Sequence, residues 1–98
     1  MAFVQIIDFH TSKIDEGRKH VDEYMAKTEG RRTATHSIMC QDRDDPTRYL
    51  NLVFFPSYEA AMENSNMPET GELAGKLAAL TDGEPTFLNL DIIEDREA

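Results

Sequence analysis

Four stretches of the chain are rich in β-branched and aromatic residues, as expected for β-strands. They cover residues 2–10, 33–42, 48–55 and 86–94. The first, AFVQIIDFH, carries apolar groups at both parities, so both of its faces are predicted to be covered. A short turn that contains Asp45 and Pro46 joins the second stretch to the third, which predicts an antiparallel hairpin.

The segments between the predicted strands have the apolar periodicity of helices. A first helix is predicted to follow a Thr11 or Ser12 N-cap. A second helix is predicted in two pieces, because the polar segment NSNMPETGEL interrupts it. The first piece covers residues 58–65 after a Ser57 cap, and the second starts from an Asn66 cap.

The resulting order, β-α-β-β-α-β, is that of the ferredoxin-like α+β fold, an antiparallel sheet with helices on one face. No linker, repeat or low-complexity segment interrupts this order. Residues 1–98 are therefore predicted to form one domain with a broken second helix.

The last two strands have two faces of different chemistry. One face is apolar throughout, and we assign it to the helix side: Leu50, Leu52, Phe54, Leu88, Leu90 and Ile92. The other face mixes apolar and polar groups: Tyr49, Asn51, Val53, Phe55, Phe87, Asn89, Asp91 and Ile93. Exposed apolar side chains forfeit about 1.5–3 kcal/mol each, and amides are costly in a dry core. The mixed face therefore predicts a ligand cavity or a partly wet homodimer interface.

Charge and composition narrow the classes of partner. The chain has 19 acidic and 10 basic residues, and its net charge of −9 argues against nucleic acid and against anionic membranes. No apolar run approaches the roughly 20 residues of a membrane span, and the N-terminal stretch is typical of a strand rather than a signal peptide. Cys40 is the single cysteine, which is compatible with a reducing compartment, so we expect a cytoplasmic protein.

Few residues carry a recognisable chemical signature. His36 is a candidate proton shuttle, and the alternative that we favour is a histidine satisfied by a neighbouring group. Asp42, Asp44 and Asp45 indicate a turn rather than a calcium loop, because the required glycine and glutamate are missing. Three scattered histidines and one cysteine have no metal-ligand spacing, so we predict neither a metal nor a cofactor.

The element order, the broken second helix and the hairpin text QDRDDPTRYLNLVFFPSYEAA together resemble the dimeric α+β barrel superfamily. Within it, the chain is most similar to antibiotic-biosynthesis-monooxygenase-type domains. The strongest local pattern is the end of the third strand, FPSYEA at residues 55–60. The resemblance implies a homodimer that forms through the sheet face and a small apolar or aromatic ligand. It includes cofactor-independent oxygenases as well as members with no known activity.

The resemblance also implies roles for individual residues. In cofactor-independent oxygenases of this type, an asparagine four residues before a tryptophan on the third strand lies at the cavity. Asn51 matches that asparagine, and Phe55 stands in place of the tryptophan. Haem-degrading members use a first-strand asparagine, that tryptophan and a histidine from the second helix. Here Ile7 or Gln5, Phe55 and the Ser65–Asn66 region occupy those places, so haem degradation is not expected.

The candidate ligand-binding residues are Tyr49, Asn51, Phe55, Asn64, Phe87 and Asn89, and the catalytic candidates are Asn51, His36 and Asp91. Asn51 would position a substrate or its developing oxyanion, or else form a hydrogen bond across a dimer interface. Two functions stay open. One is a cofactor-independent monooxygenase in which a deprotonated apolar or aromatic substrate reacts directly with oxygen. The other is a non-catalytic ligand-binding or structural homodimer.

Overall fold

Four strands and three helices make up the fold in the computed structural model, which describes residues 1–98. In chain order they are β1 (Phe3–His10), α1 (Ile14–Lys27), β2 (His36–Gln41), β3 (Arg48–Phe55), α2 (Tyr58–Ser65), α3 (Pro68–Ala78) and β4 (Thr86–Asp91). The strands form one antiparallel sheet in the order β2-β3-β1-β4. The predicted ferredoxin-like order and the broken second helix are confirmed.

The ends of α2 and α3 show where local sequence signals succeed and fail. The Ser57 side chain accepts a hydrogen bond of 3.1 Å from the backbone N–H of Ala60, which confirms the predicted cap of α2. The predicted Asn66 cap is wrong, because α3 has Met67 at its N-cap and no capping side chain. Pro68 then opens the helix, where its fixed φ is suited and its missing N–H costs nothing.

The start of α1 also differs from the prediction. Its N-cap is Lys13 rather than Thr11 or Ser12, and Lys13 provides no side-chain cap. Thr11 is engaged elsewhere: its hydroxyl donates to the carbonyl of Leu80 at 2.6 Å and accepts from the N–H of Lys13 at 3.0 Å. These bonds fasten the β1–α1 turn to the segment after α3, so the helix starts later. None of the helices combines the length and the apolar character that crossing a membrane requires.

Strand register decides which side chains face the helices. Phe3 lies opposite Phe55 on β3, and its ring also meets Tyr58 of α2 edge-on at 5.6 Å between centroids. The parity of Phe3 and Phe55 is therefore the helix side, and it includes Asn51, which lies opposite Ile7. The predicted assignment of faces is wrong, because the mixed face of β3 and β4 lies under the helices.

The aliphatic parity lies on the side that no helix covers. We call this surface the open face, and it comprises Val4, Ile6, Ile38, Leu50, Leu52, Phe54, Leu88 and Leu90. Its outer members are partly exposed, with 40% of Ile38, 46% of Leu88 and 42% of Leu90 accessible. The protein therefore presents a continuous apolar surface over all four strands.

A small buried core lies at the α2 end of the domain. Phe3, Phe55 and Ala61 form its buried cluster, and eight of the 98 residues are buried in all. Helices α1 and α3 contain no buried residue. They meet each other at Gly17, where an added Cβ would lie 3.5 Å from Leu77. The largest buried cluster is therefore at one end of the sheet, and the two helices meet each other along one seam.

Arg48 forms ion pairs with two carboxylates at the end of the open face farthest from α2. Its guanidinium lies 2.7 Å from Asp8 and 3.1 Å from Asp42. Hydrogen bonding from Arg48 lowers the pKa of Asp8. The pKa of Asp42 is also lowered, chiefly by the backbone N–H of Asp44 and then by Arg48. The two carboxylates in turn raise the pKa of Arg48, so this cluster keeps its charges over a wide pH range.

Replacement of Arg48 should make stability less dependent on pH. Both aspartates have folded-state pKa values below the ordinary 3.8, so their stabilising effect is present above that value and is lost as pH falls through the folded pKa. We expect Arg48→Gln to unfold at a lower temperature than the wild type near neutral pH, by a small margin because the groups are partly exposed. The difference should vanish below both aspartate pKa values, as measured by circular dichroism during heating.

Arg43→Gln provides the matched control, because Arg43 is exposed and forms no ion pair. It removes the same charge without touching the cluster. A difference between Arg48→Gln and wild type that persists unchanged in acid would contradict the assignment.

Candidate functional site

A cavity of about 370 Å³ lies between the sheet and the pair of helices α1 and α3. The sheet supplies its floor through Gln5, Ile7, Phe9, Met39, Asn51 and Phe87. The helices supply its roof, chiefly through Ile14, Gly17, Arg18, Val21, Thr70, Gly71, Leu73, Ala74, Leu77 and Ala78. Its volume is within the range of small-molecule sites, which is roughly 300–1,000 Å³. The mixed face therefore borders a partly open cavity within a single chain.

The roof leaves this space open because part of its surface is built from small residues. Gly71, Ala74 and Ala78 of α3 line the cavity. A Cβ at Gly71 would meet no atom within 4 Å. The larger Leu77 borders the cavity and also lies against Gly17 of α1, where the two helices meet. The small residues of α3 therefore leave part of the cavity unfilled.

Asn51 is the polar group at the middle of the floor. It lies opposite Ile7 on one side and Met39 on the other. Its Oδ1 accepts a hydrogen bond of 3.2 Å from the hydroxyl of Ser37, while its Nδ2 has no partner within the protein. Since an amide nitrogen carries two donors, Asn51 can present N–H groups to an oxygen atom of a bound molecule.

A pair of amide side chains, Gln5 and Asn89, lies on the same face of the sheet as Asn51. Gln5 donates from Nε2 to Oδ1 of Asn89 at 3.1 Å, across the β1–β4 pairing. Gln5 borders the cavity. The floor thus combines apolar surface with two amide groups whose orientation is set by neighbouring strands, an arrangement that suits an apolar ligand carrying one or two oxygen atoms.

A closed circuit of hydrogen bonds lies at the junction of α2 and α3, beside the cavity residues Ser65 and Thr70. The Thr70 hydroxyl donates to the carbonyl of Asn64 at 2.8 Å, so Tyr24 Oη, at 2.9 Å, must donate to Thr70. Asn64 Nδ2 completes the circuit by donating to Tyr24 at 3.4 Å. This network connects α1 to the break in the second helix. The Oδ1 atom of Asn64 is buried and has no partner.

The structure brings two of the predicted site residues to the cavity wall, Asn51 and Phe87. Asn89 lies beside them and is bonded to Gln5. Tyr49 and Phe55 share their parity but are buried outside the cavity lining. Tyr49 stacks on Phe9 with ring centroids 5.7 Å apart, whereas Phe55 belongs to the buried core cluster.

The remaining candidates lie away from the cavity lining. Asn64 is buried in the circuit with Tyr24. His36 is on the opposite side of the sheet, where its ring lies 5.8 Å from that of Phe54. Asp91 pairs with Phe3 at the exposed end of β4. His10 and His20 also lie outside the lining, so no imidazole reaches this space.

Much of the site consists of residues that the sequence patterns do not single out. Gln5 has the same signature as Asn51, an amide within an apolar strand, and that signal was available. The roof residues gave no such signal, because Val21, Leu73 and Leu77 have the spacing of an ordinary packed helix face.

Comparison with solved structures identifies the architecture. SnoaB, a cofactor-independent oxygenase from Streptomyces nogalater, superposes with a TM-score of 0.80 at 14% identity, over 96% of this chain and 95% of that one. An antibiotic biosynthesis monooxygenase gives a TM-score of 0.74 at 19% identity, over 96% of this chain and 100% of its own. The chain has the antibiotic biosynthesis monooxygenase fold.

The same fold also occurs in a conserved protein from Methanosarcina mazei Go1, with a TM-score of 0.80, 12% identity and coverage of 92% of this chain and 91% of that one. No family model matches the sequence. No curated protein matches it either. The likeness to the monooxygenase fold is therefore one of structure, at identities below those that transfer a function.

Two phenylalanines that were predicted to contact a ligand should behave differently when truncated. Phe55→Ala removes a ring from the core cluster and should lower the free energy of unfolding by about 3–5 kcal/mol. Phe87 is 54% exposed, so Phe87→Ala should cost about 1 kcal/mol or less. Denaturant unfolding of both variants measures the difference. Equal costs would contradict the placement of Phe55 in the core and Phe87 on the cavity wall.

Proposed function

We propose that this domain binds a small apolar or aromatic molecule in the cavity between its sheet and helices. The observation that carries the proposal is the combination of about 370 Å³ of space with an unpartnered amide nitrogen, Asn51 Nδ2, on its floor. A packed core would have filled that space, and an amide in a strand interior is disfavoured unless it has a bonding partner. Phe9 and Phe87 add aromatic surface to the wall.

We further propose that the bound molecule is a substrate for cofactor-independent monooxygenation. Support comes from the fold shared with SnoaB, which is a cofactor-independent oxygenase. In the proposed reaction an activated methylene enters the cavity as its carbanion, its proton having passed to solvent, and the carbanion adds O₂ to give a peroxide anion. Protonation and loss of water then leave a ketone. The substrate supplies all the electrons, so the balance is CH₂ plus O₂ to C=O plus H₂O, with no external reductant.

Asn51 is the residue to which we assign a direct role. The ionised methylene carries much of its negative charge on an oxygen atom conjugated with it. A donor that already points at that oxygen stabilises the charge without rearrangement. The amide nitrogen of Asn51 fits this role because Ser37 holds its Oδ1, its N–H groups have no partner within the protein, and the residue lines the cavity. His36 and Asp91 lie outside the cavity lining and have no part in this proposal.

Substitutions at the floor and the roof should separate binding from chemistry. We expect polycyclic aromatic ketones and phenols to raise the unfolding temperature of the wild type by mass action. For a compound that is also oxidised, Asn51→Ala should lower kcat about 10²–10³-fold, measured as oxygen uptake. Ala74→Leu should weaken binding about tenfold or more, because its side chain fills space that the ligand needs.

Ala26→Leu is the control for the roof, since Ala26 is exposed on α1 and does not line the cavity. It should bind like the wild type. Unchanged turnover in Asn51→Ala would exclude its catalytic role. Binding without oxygen uptake would favour the second candidate function, a non-catalytic ligand-binding module. Absence of any thermal shift would leave only a structural role.

We also propose that two copies of the chain form a homodimer through the open face. That surface is apolar over all four strands, and isolated soluble proteins rarely expose so large an apolar area. Arg48 and its two carboxylates lie at one end of it and would form part of a polar rim.

Light scattering at micromolar concentration tests this assembly. The wild type should have twice the chain mass of 11.1 kDa. Leu88→Lys places a charge on the open face and should shift the mass toward that of a single chain, because an unpaired charge is costly to bury. Ala26→Lys, on an exposed helix surface, should leave the mass unchanged. A monomeric wild type would refute the proposal.

A further inference from the structure

The charges around the cavity do not reflect the composition of the chain. Acidic residues outnumber basic ones by 19 to 10, yet the charged residues that line the cavity are Lys13 and Arg18. No carboxylate is among the lining residues. Both cations are exposed, which places them at the rim of the cavity rather than in its interior.

Neither cation is neutralised within the protein. The six ion pairs of the structure use other residues, including Arg31 with Glu69 and Lys76 with Glu23. The side chains of Lys13 and Arg18 also make no hydrogen bond, although the backbone N–H of Lys13 does. Their charges therefore remain available to a molecule that enters the cavity.

The cavity also lacks a group that could take a proton from a bound molecule. No aspartate, glutamate or histidine lines it, and its other polar residues are amides and hydroxyls, which do not act as bases near neutral pH. A ligand that reacts or binds as an anion must therefore arrive already ionised. A cationic rim is the feature that would favour such a ligand over its neutral analogue.

We infer that the cavity selects molecules that combine an aromatic body with a negative charge, such as an aromatic carboxylate or phenolate. The rings lie against Phe9 and Phe87, and the charge lies at the rim with Lys13 and Arg18. This inference rests on the ligand site proposed above and adds the charge class of its ligand. The overall charge of −9 opposes an anion at long range, so the two cations act locally, within about a Debye length of 8–10 Å.

A pair of bicyclic probes of similar shape tests the inference: 2-naphthoate, which is an anion, and 2-naphthamide, which is neutral. We expect calorimetry at low salt to show that wild-type protein binds the naphthoate about three- to tenfold more tightly, as suits a partly exposed ion pair. The preference should weaken as salt is added. The double variant Lys13→Gln, Arg18→Gln should bind the two probes about equally, and circular dichroism checks that it is folded.

Lys19→Gln is the matched control. Lys19 is exposed, follows Arg18 directly and does not line the cavity, so its removal alters the net charge alone. It should retain the preference for the naphthoate. Equal binding of both probes by the wild type would overturn the inference and leave the proposed ligand site standing, and so would an equal loss in Lys19→Gln. If neither probe binds, the proposed ligand site fails and the inference fails with it.

Discussion

The pairing of β1 with both β3 and β4 is the interaction on which the rest of the domain depends. Because side chains alternate along a strand, one register assigns every residue of the sheet to one of two faces. One face meets α2 through Phe3 and Phe55 and then runs on under α1 and α3 as the floor of the cavity. The other face becomes an apolar surface without a covering layer. The cavity and the open face are thus two results of the same backbone hydrogen bonds.

The elements themselves could be predicted from local patterns. β3 and α2 have the bounds that alternation and the Ser57 cap indicate, because both signals act within a few residues. The orientation of the sheet could not be predicted in this way. Both parities of β3 are rich in apolar residues, so burial does not distinguish them, and the more aliphatic side was the wrong choice. The contact that decides the matter, Phe3 against Tyr58, joins residues far apart in sequence.

The candidate site was predictable to a similar extent. An amide within an apolar strand is unusual, and this singled out Asn51 correctly as a residue of the mixed face. Whether that face meets solvent, a partner or a cavity depends on how far the helices stand from the sheet. The helices meet each other at Gly17 and Leu77, a contact that no local pattern reports. The sequence also offered no reason to select the rim cations Lys13 and Arg18, because exposed charges on a helix normally have no specific role.

The separation of the small core from the cavity has an evolutionary consequence. Phe3, Phe55 and Ala61 hold the fold at one end of the sheet, while residues such as Ala74 face empty space. A change of side-chain volume beside empty space creates neither a void nor a clash, so its effect on folding is small. Mutation can therefore explore new ligands at the cavity without loss of the native state. The same backbone in a protein of 12% identity accords with a fold that few side chains need to specify.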